Sequence, residues 1–164
     1  MESTKLWKKE NDCIVFEIDV RISKPAEVLS VAYNELKIDC HEFDQEAILN
    51  TRECQVGKVT LYFFQLREFC GSKGAMVEYA KRGLIPAHPS MLATANIADP
   101  QFHLQFPNGT QWFVDWGNAK RLECYSLHMR SFPWCKVTFT ERGLWVGNDT
   151  YGWYPKKWLC GVRC

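Results

Sequence analysis

The sequence predicts a single α+β domain over residues 1–164, and three features carry that expectation. Alternating strands interspersed with helical stretches occupy the N-terminal half. Gly83-Leu84-Ile85-Pro86-Ala87-His88-Pro89-Ser90 is the sharpest punctuation in the chain and separates two helices. From Asn108 onward short strands and turns replace the helical signals. The expected arrangement is N-terminal strands with helices, followed by a C-terminal antiparallel β-meander packed on those helices. If the domain divides at all, its lobes are 1–101, mixed α/β, and 102–164, β-rich.

Residues 1–12 read as a charged lead-in. Ile14 to Val20 then alternates, with Ile14, Phe16, Ile18 and Val20 on one face and Val15, Glu17 and Asp19 on the other. That is the pattern of a half-buried strand. Ser23-Lys24-Pro25 starts a helix, with Ser23 as cap, Pro25 early and Glu27 in the first turn. Leu29, Ala32, Tyr33 and Leu36 form its buried stripe, and a short helix is expected from Asp44 to Leu49. Lys58 to Phe64 is the strongest strand. Both of its faces are largely apolar, so it should be central and covered on both sides.

The punctuated stretch follows directly. Lys73 to Arg82 sets Ala75, Met76, Tyr79 and Ala80 at helical spacing, with Ser72 as cap, a Glu78–Arg82 pair four residues apart and Gly83 as the left-handed residue beyond the end. Pro86 and Pro89 drive Ile85 and His88 to extended backbone. Ser90 opens the next helix, Met91, Leu92, Ala95, Ile97 and Ala98 are available for burial, and Asp99-Pro100 ends it. Downstream, strands are expected at Gln111–Asp115, Arg121–Leu127, Trp134–Thr140, Leu144–Val146, Tyr151–Tyr154 and Trp158–Val162, the last two closing the sheet. Turns fall at Gly117-Asn118, Glu141-Arg142-Gly143 and Gly147-Asn148-Asp149.

At 46% hydrophobic and 24% charged residues, the composition is that of a globular chain. A chain of 164 residues can bury roughly two-thirds of its unfolded surface. No apolar run is long enough to span a bilayer, the longest, Val59 to Phe64, being strand-sized. The first ten residues lack the apolar segment of a secretory signal, so the expected compartment is cytoplasmic. The eight cysteines then read as reduced thiols, most of them small buried apolar residues. The sequons at Asn108 and Asn148 read as turns. The net charge of +1 is uneven: residues 1–101 carry 12 Lys and Arg against 15 Asp and Glu, a net of −3, and residues 102–164 carry 8 against 4, a net of +4.

No phosphate-cradling glycine motif is present, and Gly71-Ser72-Lys73-Gly74 reads as a strand-to-helix turn. No pair of cysteines has C-x-x-C spacing, so no metal site and no cofactor are expected. Nucleophilic catalysis needs a thiol beside a base. The candidates are Cys70 with His88 or His103, and Cys124 with His128. His88 is the strongest single nomination, because flanking prolines make its loop rigid.

The basic half is the most informative. It holds six of the seven tryptophans, interleaved with Lys120, Arg121, Arg130, Lys136, Arg142, Lys156 and Lys157. Strand alternation turns Trp134 and Lys136 outward, where a tryptophan beside a lysine can stack on a ligand or anchor a partner. Trp153-Tyr154-Pro155-Lys156-Lys157-Trp158 packs its aromatics too closely for all of them to be buried.

Arg82-Gly83-Leu84-Ile85-Pro86-Ala87, with a short helix after it and Gly161-Val162-Arg163 near the end, resembles an "RGL-x-PA" element of short uncharacterised bacterial proteins. The resemblance covers the C-terminal half and implies a prokaryotic or phage-like intracellular origin. It implies no activity and no catalytic residues.

The leading functional expectation is therefore a non-enzymatic interaction module without a membrane segment. It would contact a macromolecular partner through an aromatic-basic β face made of Trp134, Lys136, Arg142, Trp145, Trp153, Tyr154, Lys156, Lys157 and Trp158. A protein partner is favoured over nucleic acid, since +4 on one half gives little neutralisation of a phosphate backbone. The alternatives are a small hydrolase or transferase using a Cys/His pair, and a regulatory nucleic-acid binder.

Overall fold

A computed structural model of the chain describes residues 7–24, 53–99 and 158–163, with short pieces at 26–27, 39–40, 112–113, 136–140 and 143–147 and single positions at 30, 49 and 155. In chain order the elements are β1 (Trp7–Glu10), β2 (Cys13–Val20), β3 (Asp39–Cys40), β4 (Gly57–Gln65), α1 (Ser72–Lys81), β5 (Leu84–Pro86), α2 (Pro89–Ala98), β6 (Trp112–Phe113), β7 (Lys136–Thr140), β8 (Gly143–Gly147) and β9 (Trp158–Arg163). They form a five-stranded sheet in the order β1-β2-β4-β9-β5, antiparallel at every pairing, and a four-stranded sheet in the order β3-β8-β7-β6. The class is α+β, as the sequence predicts. Among the described residues no helix is long and apolar enough to cross a membrane.

The charged lead-in is not all lead-in. Glu10 pairs with Cys13, leaving Asn11 and Asp12 as a two-residue turn, and Asn11 takes the left-handed conformation (φ 54°) that asparagine tolerates well. Trp7–Glu10 thus folds back on β2 as an edge strand, and its exposed Lys8 and Lys9 discourage pairing with other chains. Lys8 lies 3.6 Å from Glu17 on β2.

Register places Phe16, Ile18 and Val20 of β2 beside Leu61 and Val59 on one face of the sheet, and Cys13 and Val15 with Tyr62 and Phe64 on the other. Helix α2 lies against β2 on the first face. On the second, α1 packs Ala75 and Tyr79 into a cluster with Cys13, Val15, Phe64, Leu66, Leu84 and Leu159. As expected, β4 is the central strand. It is covered on both sides only toward its C-terminal end, where Phe63 and Phe64 point to opposite faces and both are fully buried.

Residues 82–88 carry the chain around the sheet edge from one helical layer to the other. Gly83 (φ 65°) ends α1, its N–H reaching the Ala80 carbonyl at 2.9 Å. Leu84–Pro86 then forms a strand on β9. Two cap expectations need correction. Ser72 is the first residue of α1, capped by Gly71 without a side-chain hydrogen bond. Helix α2 begins one residue before Ser90, at Pro89, with His88 as its cap. In the stretch after Ser23, Glu27 Oε2 accepts from the Ser23 and Lys24 N–H groups at 3.1 Å each, the reach-back half of a capping box.

The largest departure concerns β9. Expected to close the C-terminal meander, it runs instead between β4 and β5. Leu159, Cys160 and Val162 are buried on alternating faces. A strand apolar on both sides is stable only where helices cover both sides, and α1 and α2 provide that cover. Of the remaining expected strands, β6, β7 and β8 pair antiparallel in that order, with Thr140 opposite Gly143, while Glu141 and Arg142 of the expected turn lie outside the described residues. Strand β3 joins β8 in parallel. The strands expected at Arg121–Leu127 and Tyr151–Tyr154 lie outside the described residues, as does the helix at Asp44–Leu49 apart from helical Leu49.

Candidate binding groove

β4 and β9 do not stay together. They pair from Gln65↔Trp158 to Tyr62↔Gly161, after which Val162 and Arg163 continue on β5 alone. The Gly57–Leu61 half of β4 therefore has β2 on one side and, among the described residues, no strand on the other. An open groove of about 670 Å³ occupies this wedge. On the α2 side of the sheet its wall is Val59, Ile85, Met91 and Val162; on the opposite side it is Lys58, Thr60, Tyr62 and Arg163. Glu53, Cys54, Gln55 and Val56 contribute the loop at its mouth.

Two of these walls are held firmly. His88, only 1% exposed, accepts the Ser90 N–H on Nδ1 at 3.0 Å, which satisfies an otherwise orphaned donor of the first turn of α2. A ring that accepts on Nδ1 carries its proton on Nε2. Arg163 donates from Nε to the Tyr62 hydroxyl at 2.9 Å, sits 5.1 Å from that ring's centroid and reaches Glu10 at 3.4 Å. The groove thus has one apolar wall and one wall tipped with fixed positive charge.

A second open groove, of about 660 Å³, lies against α1 and includes Asp12, Arg67, Cys70, Lys81 and Arg82. Arg82 organises it. Its guanidinium binds Asp12 Oδ2 through Nε (3.1 Å) and Nη2 (2.5 Å), and Glu78 Oε2 and the Glu78 carbonyl through Nη1 (both 2.9 Å). It also lies 4.4 Å from the centre of the Phe64 ring. This ties the β1–β2 turn to the end of α1. Arg82→Ala is expected to lower stability by about 2 kcal/mol, the scale of charge-assisted hydrogen bonds plus a cation–π contact.

The same cluster sets an acid dependence. The Arg82 hydrogen bond holds the Asp12 carboxyl below its ordinary 3.8, and hydrogen bonds from Lys81 and then Arg82 hold Glu78 below its ordinary 4.5. Because both are depressed on folding, the unfolded chain takes up their protons first. Their contribution is complete above those ordinary values and is lost as pH falls through the folded ones. Urea midpoints measured from neutral pH into the acid range should fall less steeply below roughly pH 4.5 in Arg82→Ala than in the parent. Parallel acid limbs would show that other carboxylates dominate.

Compared with protein families, with curated proteins and with solved structures, the chain matches none.

Cys13, Cys54, Cys70 and Cys160 form no disulfide, and three of them, Cys13, Cys54 and Cys160, are buried. Burial pushes Cys13 up to about 11, with the neighbouring Asp12 adding to it; burial alone takes Cys54 to about 11 and Cys160 well above the ordinary 9.0. A thiol is nucleophilic only as thiolate, so these three are inert at neutral pH. Iodoacetamide should label Cys70, which is half-buried at the rim of the second groove, well before those three, and label the three only as the protein unfolds. Rapid labelling of Cys160 in the folded protein would contradict the packing of β9.

The structure does not bring Cys70 and His88 together. Cys70 packs beside the α1 cluster, whereas His88 lines the groove with Met91 on the α2 side. Cys124, His128 and His103 lie outside the described residues, as do Trp134, Arg142, Trp153, Tyr154, Lys156 and Lys157. Lys136 pairs with Gly147 in the β7–β8 hairpin, and Trp145 pairs with Thr138. Trp158 is half-buried at the start of β9, opposite Gln65. Among the described residues no group of three or more His, Cys, Asp or Glu converges as a metal-ligand set. Sequence reasoning passed over Lys58, Tyr62 and Arg163. The available signal was a basic residue ending an apolar run at Arg163, but nothing local reveals that its strand parts from β4.

Proposed function

We propose that the protein is a non-enzymatic interaction module that binds a protein partner. The observation that carries this reading is the open wedge beside β4, which joins an apolar wall to one bearing Lys58 and Arg163 next to a strand edge that no strand joins among the described residues. Grooves with an apolar floor and a few placed polar groups are the usual form of recognition sites. The inert thiols Cys13, Cys54 and Cys160 favour it over the Cys/His hydrolase or transferase, as does the separation of Cys70 from His88. The aromatic-basic set at 134–158 extends the contact surface in this reading.

The test is recovery of a partner on immobilised protein, comparing the parent with Trp153→Ala combined with Lys156→Glu. Trp158 stays intact, because it belongs to the main sheet and its loss would confuse binding with folding. Recovery of a specific protein that falls in the variant while the urea midpoint is unchanged supports the module. Absence of any specific partner for the parent overturns it. Retention of nucleic acid that falls steeply with salt would replace it with the nucleic-acid reading.

A further inference from the structure

We propose that the wedge beside β4 takes an extended segment of the partner as an added strand along Gly57–Leu61, with aliphatic residues alternating with acidic ones. The proposal rests on the interaction-module reading above and specifies what that partner presents. The exposed edge fixes the backbone conformation. Five residues of strand span about 17 Å, and an added chain satisfies their outward-facing N–H and C=O groups in the manner of β-augmentation.

The walls fix the side chains. In register with β2, Val59 and Leu61 face the α2 layer, while Lys58 and Thr60 face the opposite side. An incoming strand has the same two-residue period, so each alternate side chain meets Val59, Ile85, Met91 and Val162, and the intervening ones meet Lys58, Thr60 and Arg163. The first set calls for aliphatic residues. The second calls for carboxylates, since the groove lining itself carries Lys58 and Arg163 against the single carboxylate of Glu53. Outside the lining, Asp19 stands opposite Lys58 on β2, where it also meets Arg21 at 3.4 Å, and Glu10 lies 3.4 Å from Arg163. Lys58 also explains selectivity. A lysine on an open edge repels basic strands and gives neutral ones no charge partner, and an acidic strand turns that penalty into an attraction.

The experiment uses the full chain with a fluorescent peptide of alternating valine and glutamate, a second of alternating valine and lysine, and Lys58→Glu as the variant. Lys58 is exposed but stands opposite Asp19 on β2, so Lys58→Glu should lower the urea midpoint slightly, and Lys58→Gln, which creates no like-charge pair, keeps loss of binding separate from loss of stability. The expected results are saturable binding of the acidic peptide alone, about tenfold weaker in Lys58→Glu, and slowed amide exchange at Gly57–Leu61 when the peptide is bound. No saturable binding overturns the proposal, whether because the site is wrong or because another part of this chain covers the edge. Binding without protection at Gly57–Leu61, or binding indifferent to Lys58→Glu, overturns it equally, and so does displacement by a single-stranded oligonucleotide. If the peptide fails while a specific partner is still captured, strand addition falls and the module reading stands. If no partner is captured, the module reading itself falls.

Discussion

Tyr79→Ala is expected to lower stability by about 4 kcal/mol, the largest loss predicted for any single replacement in this chain. Tyr79 is fully buried on the inner side of α1. Its ring meets that of Phe64 edge-on, with centroids 5.0 Å apart and planes at 83°. Its hydroxyl donates to the Cys160 carbonyl at 2.9 Å, so one side chain fastens α1 to both central strands of the sheet. Removing it opens a ring-sized cavity in the core and leaves the Cys160 carbonyl with only the Ala87 N–H, at 3.1 Å, of its two donors. Tyr79→Phe separates the two contributions. It keeps the ring and loses only the hydrogen bond, for about 1–2 kcal/mol. Urea unfolding of the pair provides the measurement, and equal losses would mean that the hydroxyl, not the ring, holds the helix down.

The sequence reveals elements whose causes are local and hides those whose causes are not. The period-two run at Ile14–Val20, the Glu78–Arg82 spacing and the Gly83 terminator each depend on residues a few positions apart, and all three are found where the pattern puts them. The β1–β2 hairpin was legible in principle from Asn11-Asp12 between short alternating runs. Its two lysines make Trp7–Glu10 look like a solvated tail. The insertion of β9 was not legible. Leu159, Cys160 and Val162 announce a buried strand, but its neighbours are Phe63 and Ile85, 97 and 77 residues earlier, and no local signal selects them.

The groove shares that non-local origin. It exists because β9 follows β4 for four pairings and then follows β5, so its lining comes from three stretches, 53–62, 85–91 and 162–163, that no motif connects. His88 shows the complementary failure. Its two prolines rightly suggest a rigid loop, but rigidity serves here to cap α2. That the imidazole would accept from the Ser90 N–H, taking the place a serine usually fills at a helix start, could not be read from residue type.

Gly161 decides whether β9 can occupy its place at all, and Gly161→Val is expected to cost about 3 kcal/mol. Gly161 pairs with Tyr62 on one side and Pro86 on the other. A Cβ there would lie 2.9 Å from the Ile85 carbonyl oxygen, 2.9 Å from Tyr79 Cε1 and 3.1 Å from Leu84 Cβ. The Ile85 oxygen is backbone and cannot retreat without parting β5 from β9, and Tyr79 is held by its hydrogen bond. Even Gly161→Ala should therefore destabilise, by about 1–2 kcal/mol, although alanine in a strand ordinarily gains roughly 0.5–1 kcal/mol over glycine. The two sites are coupled through the same space. Adding Gly161→Val to Tyr79→Ala should cost less than the two losses added together, because the valine enters volume that the ring has left. Strict additivity in a double-mutant cycle would show that the clash with β5, not the seat of the tyrosine ring, is what requires glycine at this position.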